Sequence, residues 1–348
     1  MENNNVNTIN VPEVKYTPKD FASDVDVKWC PGCGDYSILA QVQRTSPDFG
    51  VKKENMVWIS GIGCSSRFPY YMNTYGFHTI HGRAAAIATG VKLANPELQV
   101  WVATGDGDML SIGGNHFIHA CRKNINLKIV MFNNKIYGLT KGQYSPTSEK
   151  GKVTKSSPYG TVDYPFNAIK LATGSGATFV ARTMDRDPKH LQEMLSRAAK
   201  HNGLAFIEIY QNCPIFNDGA YLPLTEKETK PDNVVVLEHG KPLVFGANKN
   251  KGIKLDGLNP VIIDLEDGKN SINDCFVHDE LDDNPTRVFL LARFTDIPGF
   301  PTPIGVFRQF HKTPYDIDLM NQIDFLTEKK GKGSYEKLMF TENTWEVA

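Results

Sequence analysis

The sequence predicts an α/β fold built on a doubly wound parallel sheet, and three observations carry that prediction. From Trp29 to about Tyr210, short apolar runs of β character alternate with stretches of helical periodicity. The β-type runs are nearly continuous in apolar residues, as strands covered on both faces are. Several of them lead straight into loops rich in glycine, asparagine and cysteine, and in open α/β sheets ligands bind at the carboxyl ends of the strands.

Residues 1–28 are polar and aperiodic and read as an N-terminal arm. The domain proper is expected over 29–215. Its first strand candidate, Met56–Ser60, runs into Gly61-Ile62-Gly63-Cys64-Ser65-Ser66. A helix opens at Ala84 behind His81-Gly82-Arg83. Val100–Ala103 leads to Gly105-Asp106-Gly107-Asp108, and Ile112–Ala120 has helical periodicity. Leu127–Phe132 ends at Asn133-Asn134. Thr178–Ala181 is a further strand candidate, and Lys189–His201 is the clearest helix. There Leu191, Met194, Leu195, Ala198 and Ala199 share one face. Ala205–Tyr210 leads to Gln211-Asn212-Cys213-Pro214. Four such loops converge on one rim. Residues 216–348 are richer in Pro, Asp and Lys and read as an irregular extension packed on the core or on a partner. Val234–Leu237 and Val261–Leu265 are its strand candidates.

The 348 residues suffice for two domains, or for one large domain with appendages. With 38 basic against 39 acidic residues the formal charge is −1, which argues against a nucleic-acid or membrane-surface binder. No secretory signal opens the chain and no apolar run is long enough for a membrane span, so a cytoplasmic location is expected. Six cysteines in a reducing compartment favour metal or redox chemistry over disulfides.

Cys30-Pro31-Gly32-Cys33 is a C-x-x-C without a second pair, so a zinc ribbon does not follow. Cys64 and Cys213 stand on the rim loops. Four thiolates gathered there suit an iron–sulfur cluster or zinc, with a redox dithiol or inert thiols as the remaining readings. Cys121 and Cys275 read as buried free cysteines. Gly105-Asp106-Gly107 is followed after 25 residues by Asn133-Asn134. Glycines at a strand end let backbone approach a phosphate, and the Asp106 carboxylate and Asn134 amide are hard donors suited to a magnesium-bound diphosphate. The chain has no P-loop motif, and Gly61-x-Gly63 lacks the third glycine of a dinucleotide fingerprint. His81, at a helix start, is placed for a diphosphate or a reacting carbonyl. Arg67 and Lys141 lie on the rim loops and are candidate anchors for an acidic substrate.

Gly105-Asp106-Gly107 with Asn133-Asn134 is similar to the thiamine diphosphate motif. Together with Trp29-Cys30-Pro31-Gly32-Cys33-Gly34, Gly61-Ile62-Gly63-Cys64-Ser65 and Gln211-Asn212-Cys213-Pro214, it resembles the beta subunit of 2-oxoacid:ferredoxin oxidoreductases over about residues 15–220. The stretches Gly76–Arg83 and Tyr137–Thr147 look most like the 2-oxoglutarate type. The resemblance implies that Cys30, Cys33, Cys64 and Cys213 ligate one [4Fe–4S] cluster. It further implies that Asp106, Asn134 and the Ile136 carbonyl hold Mg2+. Ile62, Gly63, Cys64, Ser65, His81, Gly105, Gly107, Asp108, Gly138 and Leu139 would contact thiamine diphosphate.

Thiamine enzymes need a glutamate against the aminopyrimidine, and this chain offers no convincing candidate. In the family it comes from the alpha subunit, which is sometimes fused to a gamma subunit, so the resemblance implies an incomplete site. The implied reaction is oxidative decarboxylation of 2-oxoglutarate to succinyl-CoA, with coenzyme A as acyl acceptor and ferredoxin as electron acceptor; pyruvate or a broad range of 2-oxoacids is the alternative. A non-redox thiamine decarboxylase would not need the rim cysteines. An electron carrier would not need the diphosphate motif.

Overall fold

The computed structural model describes residues 15–340 together with 345 and 347. Residues 1–14 of the predicted arm lie outside the described residues. An eight-stranded sheet forms the centre, in the order β2-β1-β3-β4-β6-β5-β11-β7. Its strands are β1 Met56–Ser60, β2 Tyr75–His78, β3 Gln99–Gly105, β4 Leu127–Asn133, β5 Phe179–Met184, β6 Ala205–Tyr210, β7 Val234–Leu237 and β11 Thr302–Gln309. Strands β1 to β6 pair in parallel, whereas β11 runs antiparallel to β5 and parallel to β7. A separate three-stranded antiparallel sheet holds β8 Val244–Phe245, β9 Lys251–Asp256 and β10 Asn259–Asp264.

The strands legible in the sequence are those buried along their whole length, such as β1, β4, β5 and β6. Strand β2 is an exposed edge and leaves no apolar run. Strand β11 is interrupted by Pro303 and by Gly305 at φ +117°, beside a register shift between Val306 and Arg308, so its pattern does not read as a strand. The stretch read as an irregular extension therefore supplies two strands of the main sheet.

Helices cover both faces. The main ones are α1 Gly34–Thr45, α2 Ala84–Ala94, α3 Asp106–Leu110, α4 Gly114–Lys123, α5 Ala168–Gly174, α6 Pro188–Lys200, α7 Pro285–Ala292 and α8 Tyr315–Lys330. Ile112 precedes α4 and is exposed, so that helix starts later than its periodicity suggests. The period-2 alternation of β1 divides the core: Val57 and Ile59 join the cluster with α2, α4 and α5, whereas Trp58 joins the cluster with α1 and α6. Leu191, Met194, Leu195, Ala198 and Ala199 of α6 are all buried there. Phe21 is fully buried against Trp29, Ile38 and Val42, so this part of the predicted arm is a core element.

From β1 the chain turns outward to β2, then returns to the other side of β1 as β3. The carboxyl ends of β1 and β3 therefore flank a switch point in strand order, where a crevice opens. The Gly61 and Gly105 loops leave from those two ends.

Candidate active site

A cleft of about 560 Å³ lies over that switch point. Its wall brings together Ile62, Gly63, Cys64 and Ser65 from the β1 loop, His81, and Gly105 to Asp108 from the β3 end. Asn134, Ile136, Gly138 and Leu139 close it from the β4 loop, so all these predicted positions meet in one place. Tyr137 belongs to the same wall, and its hydroxyl donates to the Gly107 carbonyl at 2.9 Å. Among the described residues, no glutamate lines the cleft.

Asp106 is 2% exposed, and burial raises its carboxyl to about 6. Asn134 donates through Nδ2 to Gln211 Oε1 at 2.8 Å, which turns its Oδ1 back to accept the Ile136 N–H at 3.2 Å. Two hard oxygens thus sit at the ends of neighbouring strands, with the Ile136 carbonyl close by in sequence.

Asp108 lines the cleft, and the protein engages both of its oxygens. Oδ1 accepts from the Ile62 N–H at 3.0 Å, the Gly82 N–H at 2.7 Å and His81 Nδ1 at 2.6 Å, while Oδ2 accepts the Thr104 hydroxyl at 2.7 Å. A carboxylate only accepts, so His81 carries its proton on Nδ1 and keeps Nε2 free. The spacing of Asp108 after Gly107 revealed a polar residue at the rim but not the direction of its side chain.

A second cavity, of about 710 Å³, adjoins the first, and Cys30, Cys33, Cys64 and Cys213 all line it. Pro31-Gly32 makes the turn between the first two, with Gly32 at φ +79° and the Cys33 N–H donating to the Cys30 carbonyl at 3.1 Å. Cys33 then caps α1. Three contacts tie the cysteine loops together. Trp29 Nε1 donates to the Cys64 carbonyl at 2.7 Å, the Gly34 N–H to the Asn212 carbonyl at 3.1 Å, and Gln211 Nε2 to Cys33 Sγ at 3.3 Å. Burial pushes the Cys33 thiol up and the Cys64 thiol up to about 12, so their thiolates need cationic partners. Among the described residues, no three His, Cys, Asp or Glu side chains close on a single ion-sized point. Cys121 and Cys275 are buried and free, far from the rim in the fold's cores and small sheet.

Arg67 and Lys141 line the cysteine cavity rather than the cleft over the switch point. Arg67 Nη1 donates to the Lys28 carbonyl at 2.9 Å. Asp35, which sequence reasoning passed over, lines both cavities. Burial raises its carboxyl to about 7, and among the described residues its Oδ1 has no hydrogen-bond partner. The only sequence signal for it was its place beside the C-x-x-C.

Residues 57–209, from within β1 to near the end of β6, match the thiamine pyrophosphate enzyme C-terminal TPP-binding domain. Across almost its whole length the chain is similar to the 2-oxoglutarate oxidoreductase subunit KorB of Mycobacterium tuberculosis, with 51% identity over 94% of this chain and 88% of that subunit. The chain belongs to the 2-oxoacid:ferredoxin oxidoreductase beta subunits. Another member, a Sulfolobus 2-oxoacid:ferredoxin oxidoreductase beta subunit, is 49% identical over 55% of this chain and 63% of its own length. A solved 2-oxoglutarate:ferredoxin oxidoreductase from Magnetococcus marinus, with 2-oxoglutarate, coenzyme A and succinyl-CoA bound, superposes with a TM-score of 0.72. It is 34% identical and the match covers 93% of this chain and 94% of that one. As a beta subunit, the chain works with an alpha subunit. None of the helices among the described residues is long and apolar enough to cross a membrane.

Proposed function

We propose that this beta subunit catalyses, with its alpha subunit, the oxidative decarboxylation of 2-oxoglutarate to succinyl-CoA and passes the electrons to ferredoxin. One observation carries the reading: the phosphate cleft and the cysteine cavity share a wall. Gly138 belongs to both, and a Cβ on it would lie 3.6 Å from Cys64 Sγ and 3.7 Å from Cys213 Sγ. A reaction in the cleft is thus one residue away from the sulfurs.

When bound, thiamine diphosphate supplies carbanion chemistry at the 2-keto carbon, and a [4Fe–4S] cluster accepts the electrons singly. Asp106, Asn134 and the Ile136 carbonyl would hold Mg2+, a donor set of hard oxygens that fits that ion. Cys30, Cys33, Cys64 and Cys213 would ligate the cluster. Four soft sulfurs lining one cavity are a donor set that fits such a cluster. His81 holds Nε2 ready to donate or accept a proton at the cleft, oriented by Asp108. Asp108 itself orders the cofactor-facing loops from the cleft wall. Lys141 and Arg67, on the wall of the cysteine cavity, would anchor the distal carboxylate of a substrate reaching over from the cleft.

The complex reconstituted with its alpha subunit tests this reading. About four irons per beta subunit and ferredoxin reduction faster with 2-oxoglutarate than with pyruvate are expected. Lys141→Ala should lower kcat/KM for 2-oxoglutarate about 10- to 150-fold, the value of a lost charge-assisted contact, and barely affect pyruvate. A colourless zinc protein would exclude the redox reading, and a strong pyruvate preference would exclude the 2-oxoglutarate assignment.

A further inference from the structure

Ser145 and Thr147 lie beyond the cleft wall, yet both are bonded to Asp106. They are 2% and 3% exposed, and their hydroxyls each lie 2.5 Å from the same oxygen, Oδ2. Among the described residues no side chain donates to Oδ1. A hydroxyl has one proton to give, so Oδ2 is committed to two donors and Oδ1 is left over.

The same segment reaches the neighbouring strand. Thr147 Oγ1 lies 2.9 Å from Asn133 Oδ1, Ser148 Oγ donates to the Lys135 carbonyl at 2.7 Å, and the Ser145 N–H donates to Ser148 Oγ at 2.8 Å. Residues 145–148 are therefore attached to the end of β3 through Asp106 and, through the Ser148 bond to the Lys135 carbonyl, to the residue after Asn134; the one Thr147 proton goes to Asp106, so its approach to Asn133 Oδ1 is a packing contact. The Asn133 amide cannot turn over, because its Nδ2 donates to Glu208 Oε1 at 2.8 Å. Glu208 is held in turn by Arg182 Nε at 2.7 Å, in an ion pair that is almost fully buried. Buried polar side chains thus pack from the middle of the sheet up to Thr147, beside the carboxylate.

We infer that Ser145 and Thr147 are positioning residues that grip Asp106 by Oδ2, present Oδ1 alone to a divalent cation, and set its spacing from Asn134. The inference rests on the reading of Asp106 as a magnesium ligand. Groups that orient a ligand in this way are commonly worth about 10- to 100-fold in metal affinity. The two residues stand within Tyr144-Ser145-Pro146-Thr147, which nothing in the cleft lining itself requires.

Binding of Mn2+ to the complex with its alpha subunit, in the presence of thiamine diphosphate, can be followed by electron paramagnetic resonance of free Mn2+. Thr147→Val keeps the shape and removes the hydroxyl; it should raise the Mn2+ Kd about 10- to 100-fold, with Thr147→Ser close to wild type. Saturating Mg2+ should restore turnover in Thr147→Val, which a folding defect would not allow. Ser145→Ala gives the same measurement by an independent route should Thr147→Val fail to fold. Asp106→Asn separates the two levels. If it abolishes Mn2+ binding while both hydroxyl variants bind as wild type, the positioning role is wrong. If Asp106→Asn binds as wild type, the metal reading fails and the inference with it.

Discussion

Replacing Asp108 with Asn removes a charge from the point where three site loops meet, and the structure allows the cost to be worked out. Oδ1 now takes three donors, two of them backbone N–H groups of Ile62 and Gly82 and the third His81 Nδ1. If the amide oxygen takes the place of Oδ1, all three keep an acceptor, but each bond falls from the charged to the neutral class. That difference is about 1 kcal/mol per bond, or about 3 kcal/mol in all. The Thr104 hydroxyl can turn to accept from the new amide and donate toward the Gly105 carbonyl, now 3.4 Å away, so Oδ2 adds little. Asp108→Ala should cost more, because the Ile62 and Gly82 N–H groups would then be left without an acceptor, at about 1–3 kcal/mol each, with a cavity in addition. Urea unfolding of the variants, together with thiamine diphosphate titration, measures both effects. Expected are a loss of about 3 kcal/mol in stability for Asn, a larger one for Ala, and weaker cofactor binding in both. If Asp108→Asn unfolds and binds cofactor as wild type does, Asp108 does not organise the loops. Equal losses for Asn and Ala would show that the neutral amide recovers none of the three bonds, contrary to the partition above.

Cys213→Ser should lose most of the iron, because an alkoxide is a poor ligand for a soft site, whereas Cys121→Ser, buried in the core away from the cavity, should retain it; equal iron loss in the two would refute the ligand set. Burial lowers His201 from its ordinary 6.5 to about 3, so the unfolded chain binds a proton that the folded one refuses, and stability falls as pH drops from about 6.5 towards 3. Between pH 7 and pH 5 this should cost about 2 kcal/mol, and urea midpoints for His201→Gln should show that much less acid sensitivity than wild type.

The parallel core of the sheet was open to reading because strands buried on both faces are mostly apolar, and β1, β3, β4, β5 and β6 carry that mark despite the buried Lys128, Arg182 and Glu208. The convergence of Cys64, Asp106, Asn134 and Cys213 was legible for a related reason: parallel strands all deliver their next loop to the same edge, so position after a strand encodes position in space. Strand β2 left no mark, being an exposed edge, and β11 hid behind Pro303, Gly305 and the register shift between Val306 and Arg308. Phe21 looked like part of a polar arm because one buried aromatic sets up no period. What only the tertiary structure decided was the direction of side chains. Asp108 turns inward to bind its own loops, Arg67 and Lys141 fall on the cysteine side, and Ser145 and Thr147 return from a distant segment to grip Asp106. Spacing along the chain conveys which edge a residue reaches, but the choice among neighbours there is made by packing and by the pairing of buried polar atoms, and both depend on residues far away in sequence.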